Sequence, residues 1–189
     1  MYNFTFRMDA IMKKIISLLL IAMLTITLYA CNNKDSSSSN LNLLEAVTYS
    51  PLENIAIDIP IEYEEEDGNY DITFYKKNNA SITVTSEPTK NHDDVADYGL
   101  YALKQYSNTF DRLSDIEEIY FEVDGLKFKV NQFKYTILGE VDDIEKHCYV
   151  GYVVKNEVAY VISCVSSVPS FDYNKIGFEQ AVKSFRFLD

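Results

Sequence analysis

Ile119-Tyr-Phe-Glu-Val-Asp-Gly-Leu-Lys-Phe-Lys-Val130 holds two runs of alternating apolar residues on either side of an Asp-Gly pair. Strand side chains point alternately to opposite faces, so Ile119, Phe121 and Val123 share a face and Leu126, Phe128 and Val130 return along it. Asp-Gly between such runs is a strong hairpin signal, because a two-residue turn needs φ > 0 at its centre. Beyond this hairpin the apolar positions change from even to odd at Phe133, Tyr135 and Ile137. One extra residue near Asn131-Gln132 would produce that change, so a β-bulge is expected there.

Similar patterns extend outward in both directions. Upstream, Ile55, Ile57 and Ile59 alternate with Ala56 and Asp58 and end at Pro60, a strand with one buried face. Ile72 and Phe74, then Ile82 and Val84, flank Lys76-Lys-Asn-Asn79 as the next two strands of a meander. After Pro88 the period lengthens. Val95, Tyr98, Gly99, Ala102, Leu103 and Tyr106 form the stripe of an amphipathic helix. Asn91 suits its N-cap, with Asp93 and Asp94 near the positive helix end. Gly99 on the buried face would let helix and sheet approach closely.

Downstream, Tyr149–Val154 and Val158–Val165 form a second hairpin joined at Lys155-Asn156-Glu157. Pairing Val154 with Val158 would set Cys148 opposite Cys164 on one sheet face, where an exported domain permits a disulfide. A two-residue turn would shift that register, and two buried free thiols acting as small hydrophobes are the alternative. A last helix, capped near Ser170 or Asp172, buries Phe178, Ala181, Val182 and Phe185. Strands, helix, strands, helix make an α+β domain: an antiparallel sheet with helices on its faces.

The N-terminal segment has a different character. Lys13 and Lys14 precede an apolar stretch from Ile15 to Leu28, and Leu28-Tyr-Ala-Cys31 closes it. This resembles the lipobox of bacterial lipoproteins. Residues 1–30 are therefore expected to be a signal peptide cleaved before Cys31, the cysteine that receives lipid. An uncleaved membrane helix is the alternative, but the run is shorter than the roughly 20 residues that span a hydrocarbon core. Met8 and Met12 leave open a start downstream of residue 1. Residues 31–43, with Ser36–Ser39 among Asn, Lys and Asp, suit a solvated tether. The α+β domain then occupies residues 44–189. Two or three acyl chains hold a protein stably, where one holds it marginally. The expected location is the extracytoplasmic face of the cell membrane.

Charge narrows the partners. Removing residues 1–30 takes away Arg7, Lys13, Lys14 and Asp9 and moves the formal net charge from −12 to about −14. Such a surface repels phosphate backbones, so nucleic acid is not an expected partner.

The Ile57-Asp-Ile-Pro60 strand, the helix after the third strand, Val123-Asp-Gly-Leu126 running into Tyr135-Thr-Ile-Leu-Gly139, and the terminal Phe178-Glu-Gln-Ala-Val-Lys-Ser-Phe-Arg-Phe187 together resemble the PsbP-like superfamily. That superfamily includes an extrinsic photosystem subunit and the DcrB-like bacterial lipoproteins. The resemblance covers roughly residues 45–189 and implies an α/β/α sandwich that assists membrane complexes or binds partners. It carries no catalytic residues over, so the expectation is a non-enzyme without a cofactor, binding an envelope protein. His92 reads as a solvated residue at a helix start, and His147 and Cys148 point to opposite strand faces. Glu62, Glu64, Glu65, Glu66 and Asp67 gather beside Gly68, and oxygen-rich turns can hold calcium or manganese. Without the alternating spacing of a calcium loop, a solvated turn is the simpler reading, as for Asp142, Asp143 and Glu145. No metal ligand is therefore named. A divalent-cation-binding protein that serves a membrane complex is the alternative function.

Overall fold

The computed structural model describes residues 43–48, 55–66, 73–139 and 142–188. All fall within one of the two units into which the chain divides, residues 38–189. In chain order the elements are β1 (Leu43–Thr48), β2 (Ile55–Pro60), β3 (Glu64–Glu66), β4 (Thr73–Lys77), β5 (Ala80–Pro88), α1 (Val95–Thr109), β6 (Arg112–Val123), β7 (Leu126–Ile137), β8 (Ile144–Lys155), β9 (Val158–Ser167), a 3-10 turn (Val168–Ser170), α2 (Phe171–Lys183) and β10 (Arg186–Phe187). Seven strands form one antiparallel sheet in the order β3-β4-β5-β9-β8-β7-β6, and β1-β2-β10 form a second. This is the expected α+β class.

The middle of the large sheet is buried on both faces. On one side Val95, Tyr98 and Ala102 of α1 pack with Phe133, Tyr135, Cys148, Val150, Tyr152, Ala159 and Val161. On the other, Phe171, Phe178, Ala181 and Val182 of α2 join Ile55, Ile57 and Ile59 of the small sheet over Phe128, Val130, Tyr149, Val153 and Ile162. The layers are thus helix, sheet, then helix with a small sheet. β2 is not the first strand of the meander. It lies between β1 and β10 in the second sheet, and Ala56 is as buried as Ile55.

Double-sided burial explains the change of parity along β7. Phe128 and Val130 face the α2 layer, whereas Phe133 and Tyr135 face α1, and β7 pairs with β8 without a break from Lys129 to Ile137. The expected bulge at Asn131-Gln132 is therefore absent from β7. It lies on β6, where the register shifts between Ser114 and Glu117 and Asp115 takes φ +51°. Burial of both faces imitates an inserted residue in the sequence pattern.

The second hairpin corrects another expectation. Asn156 and Glu157 have φ of +53° and +62°, and Lys155 pairs with Val158. Positive φ at both central residues marks a two-residue turn of the primed kind, whose twist matches that of the flanking strands. Cys148 then lies opposite Val165, and Cys164 opposite Tyr149. The one-residue shift sends the thiols to opposite faces of the sheet, and both are free and buried. Cys148 and Cys164 do not form the expected disulfide.

Helix α1 is capped by Asp94, not Asn91. The Asp94 carboxylate accepts from the Ala96 N–H at 2.8 Å, while Asn91 sits in the preceding turn with φ +71°. α2 follows Ser170, which makes no side-chain cap.

Two glycines set the distance between layers. A Cβ on Gly99 of α1 would lie 2.4 Å from Cδ of Lys129, and one on Gly151 of β8 would lie 2.4 Å from Cγ1 of Val182. Gly151→Ala is therefore expected to cost about 1–3 kcal/mol through overpacking. Chemical denaturation in the Val182→Ala background should show most of that cost removed; an unchanged cost would mean that this contact does not set the spacing.

Candidate binding surface

The residues singled out by sequence do not converge on one site. Cys31 and Asp67 lie outside the described residues. Glu62 pairs with Lys77, and Glu64–Glu66 form a short strand in place of a turn. Glu64 and Glu65, as successive strand positions, leave the sheet on opposite faces. Asp142, Asp143 and Glu145 are exposed. Among the described residues no three His, Cys, Asp or Glu side chains are placed to hold a metal ion. No described helix is long and apolar enough to cross a membrane. Burial pushes both Cys148 and Cys164 up from the usual thiol range, which disfavours the reactive thiolate.

The two histidines have structural partners. His92 stacks on Tyr101, and its Nδ1 lies 2.8 Å from the Asp97 carboxylate at the start of α1. His147 points away from Cys148, toward α2, where its ring lies flat on Phe171 with centroids 3.4 Å apart. It is 9% exposed, and its Nε2 has no hydrogen-bond partner among the described residues. Desolvation, then the neighbouring Lys134 cation, lower its pKa from 6.5, with Lys175 acting in the same sense and Asp115 and Asp172 opposing. A base whose pKa is lower folded than unfolded takes up its proton preferentially on unfolding. Its stabilising contribution is complete above pH 6.5 and is lost as pH falls below it. His147→Phe keeps the stack and removes the unpaired nitrogen. Thermal melts of this variant should fall less between pH 7 and pH 5 than those of the wild type; identical slopes would contradict the assignment.

A different feature emerges at the β6 end of the sheet. Ile119, Phe121 and Val123 turn one face of β6 toward the α2 layer. The opposite face carries Glu118, Tyr120 and Glu122, and its environment is set by a lysine that the sequence pattern hides. Lys129 lies on β7 among the apolar positions Phe128 and Val130, yet its side chain is fully buried beside Gly99. Its ammonium is 3.0 Å from the Glu118 carboxylate, donates to the Ala96 carbonyl at 3.1 Å, and lies 5.3 Å from the centre of the Tyr120 ring. The Tyr120 hydroxyl donates to Glu118 at 2.8 Å. These hydrogen bonds hold the Glu118 carboxyl below the usual glutamate range. At the bulge, Lys134 lies 2.6 Å from Asp115 and lowers that carboxyl likewise.

These contacts hold β6 in place from within, while much of its length remains at the surface. Ile116 is 50% and Tyr120 53% exposed, and among the described residues no strand pairs with its outer edge. Hydrogen bonding and apolar contact are available there. Nothing in the arrangement pairs a nucleophile with a base. The signal for this surface was present as the acidic run Asp115-Ile-Glu-Glu118, but sequence alone does not reveal which strand ends a sheet.

No family model matches the chain, and no curated protein matches it. Solved structures do. Cyanobacterial PsbP (CyanoP) from Synechocystis superposes with a TM-score of 0.58 at 11% identity, covering 82% of this chain and 98% of that one. The Ran-binding protein Mog1p of Saccharomyces cerevisiae gives a TM-score of 0.60 at 13% identity over 79% and 97%. A Pseudomonas aeruginosa protein of unknown function, described as a putative regulator, gives 0.53 at 9% identity over 75% and 94%. The chain has the PsbP-like fold. Identities this low speak for the fold alone.

Proposed function

We propose that this chain is an extracytoplasmic lipoprotein, anchored in the cell membrane through acyl groups on Cys31, whose PsbP-like domain acts without catalysis as a binding or accessory module. The sequence Leu28-Tyr-Ala-Cys31 followed by a serine-rich tether carries the reading. It supplies an export signal, a small residue before the acceptor thiol, and a polar spacer. The fold supports the second half, since one of the similar structures is by name a Ran-binding protein. An exposed, multiply charged strand held from beneath by a buried lysine suits recognition better than bond making. The divalent-cation alternative would need acids that converge, whereas Glu62 is engaged by Lys77 and Glu64 and Glu65 leave their strand on opposite faces.

Alkaline phosphatase fused after Asp189 tests the location, because the enzyme matures only outside the cytoplasm. The full chain should confer phosphatase activity, and a fusion lacking residues 1–30 should not. Equal activity from the two fusions, or none from the full chain, would overturn export by this segment.

A further inference from the structure

The large sheet ends differently on its two sides. β3 is three residues long, whereas β6 runs for twelve residues, Arg112–Val123. A long strand at an edge presents unpaired N–H and C=O groups, and proteins ordinarily blunt such edges with short strands, prolines or lysines. β3 is blunted by its length. β6 contains neither proline nor lysine, and its bulge lies near one end, leaving Glu117–Val123 in regular register with β7.

Charge identifies the occupant. β6 carries Arg112 against Asp115, Glu117, Glu118 and Glu122. Lys134 neutralises Asp115, and Lys129 neutralises Glu118. Among the described residues Glu117 and Glu122 make no ion pair; both are exposed, on opposite faces of the strand, with Lys127 of β7 opposite Glu122 in register. A second copy of the chain is a poor occupant: two β6 strands would bring the unpaired Glu117 and Glu122 of both copies to one seam, between chains that each carry a formal net charge of −12, and like charges gathered there are destabilising. An extended segment bearing Lys or Arg relieves that repulsion, pairs with both free carboxylates, and satisfies the edge.

We infer that β6 is a strand-addition site, and that the domain takes as its partner an extended, basic segment of another protein, which lengthens the large sheet beyond Arg112–Val123. Backbone hydrogen bonds give such binding its affinity, and alternate side chains give it selectivity. Ile116 and Tyr120 supply apolar contact along the same edge. The inference rests on the reading of the domain as a binding module and not on the lipid anchor, so labelling of Cys31 and peptide binding can fail independently.

The test uses the full chain in detergent and a fluorescent peptide of the strand's own length, built from Val, Thr and Lys. Two control peptides carry Glu for Lys, or N-methyl groups on alternate amides. Saturable binding is expected, weakened at least about tenfold by either change, since the first reverses the charge and the second removes the donors. Amide exchange should slow in residues 112–123 on binding. Glu117→Lys with Glu122→Lys, both at exposed positions, should reverse the preference toward the Glu peptide. Equal binding of the N-methylated peptide would reduce the effect to charge alone and overturn strand addition. So would absence of binding at millimolar peptide, protection confined to another element, or full protection of β6 before peptide is added, which would mean the chain covers its own edge.

Discussion

Glu118→Ala is expected to destabilise the domain by about 3 kcal/mol, far more than loss of an ordinary surface carboxylate, because it leaves the buried ammonium of Lys129 without its anion. The Lys129 side chain is 0% exposed, and among the described residues its other contacts are the Ala96 carbonyl and the face of Tyr120, neither of which supplies an anion. Glu118 itself is partly exposed, which places the cost at the lower end of the range for broken buried pairs. The opposite truncation should behave differently. Lys129→Met keeps the volume that fills the space beside Gly99 and removes the charge, so its cost should stay below about 1.5 kcal/mol. Glu118→Ala placed in the Lys129→Met background should then cost little more. Urea denaturation of the two single variants and the double variant measures the coupling. Additive effects would show that the ion pair does not set the environment of Lys129. The depressed pKa of Glu118 adds a pH signature: its contribution is present above its ordinary value of 4.5 and is lost as pH falls through the lower folded value.

The largest effect is expected at the other end of the chain. Under the proposed anchoring, Cys31→Ala should abolish incorporation of labelled palmitate and leave an unprocessed precursor, because cleavage at a lipobox requires the modified cysteine. No other thiol can substitute. Cys148 and Cys164 are buried on opposite faces of the large sheet, 3% and 0% exposed. The same reasoning makes Cys148→Ser with Cys164→Ser a control that retains full labelling. Label persisting on the Cys31→Ala chain would refute the anchoring site, whatever the domain proved to bind.

The α+β class, the Asp124-Gly125 hairpin, the stripe of α1 and the apolar face of α2 were legible because each is a local pattern. Gly99 was legible too, as a small residue on a helix face that must approach a sheet. What sequence alone concealed depends on pairing between distant segments. The shift of parity at Phe133 looks the same whether a residue is inserted or the strand is buried on both faces, and only the register with β8 separates the two. Cys148 and Cys164 were misplaced by a single residue of loop length, since a two-residue turn at Asn156-Glu157 reverses the relative faces of everything beyond it. Ile55–Pro60 has the pattern of any half-buried strand, so its place in a separate sheet was invisible. Lys129 reads as a solvated lysine on an alternating strand until α1 is laid over it. The candidate surface was least legible of all, because an edge is a property of the whole sheet.

The proposed anchor is decided at the N-terminus of the mature protein, which intact mass analysis of chain extracted from the cells that make it measures directly. The expected species begins at Cys31 and carries the mass of two or three acyl chains, with residues 1–30 absent. A chain that retains the segment before Cys31 and bears no fatty acid would contradict the anchor and, with it, the location proposed for the domain.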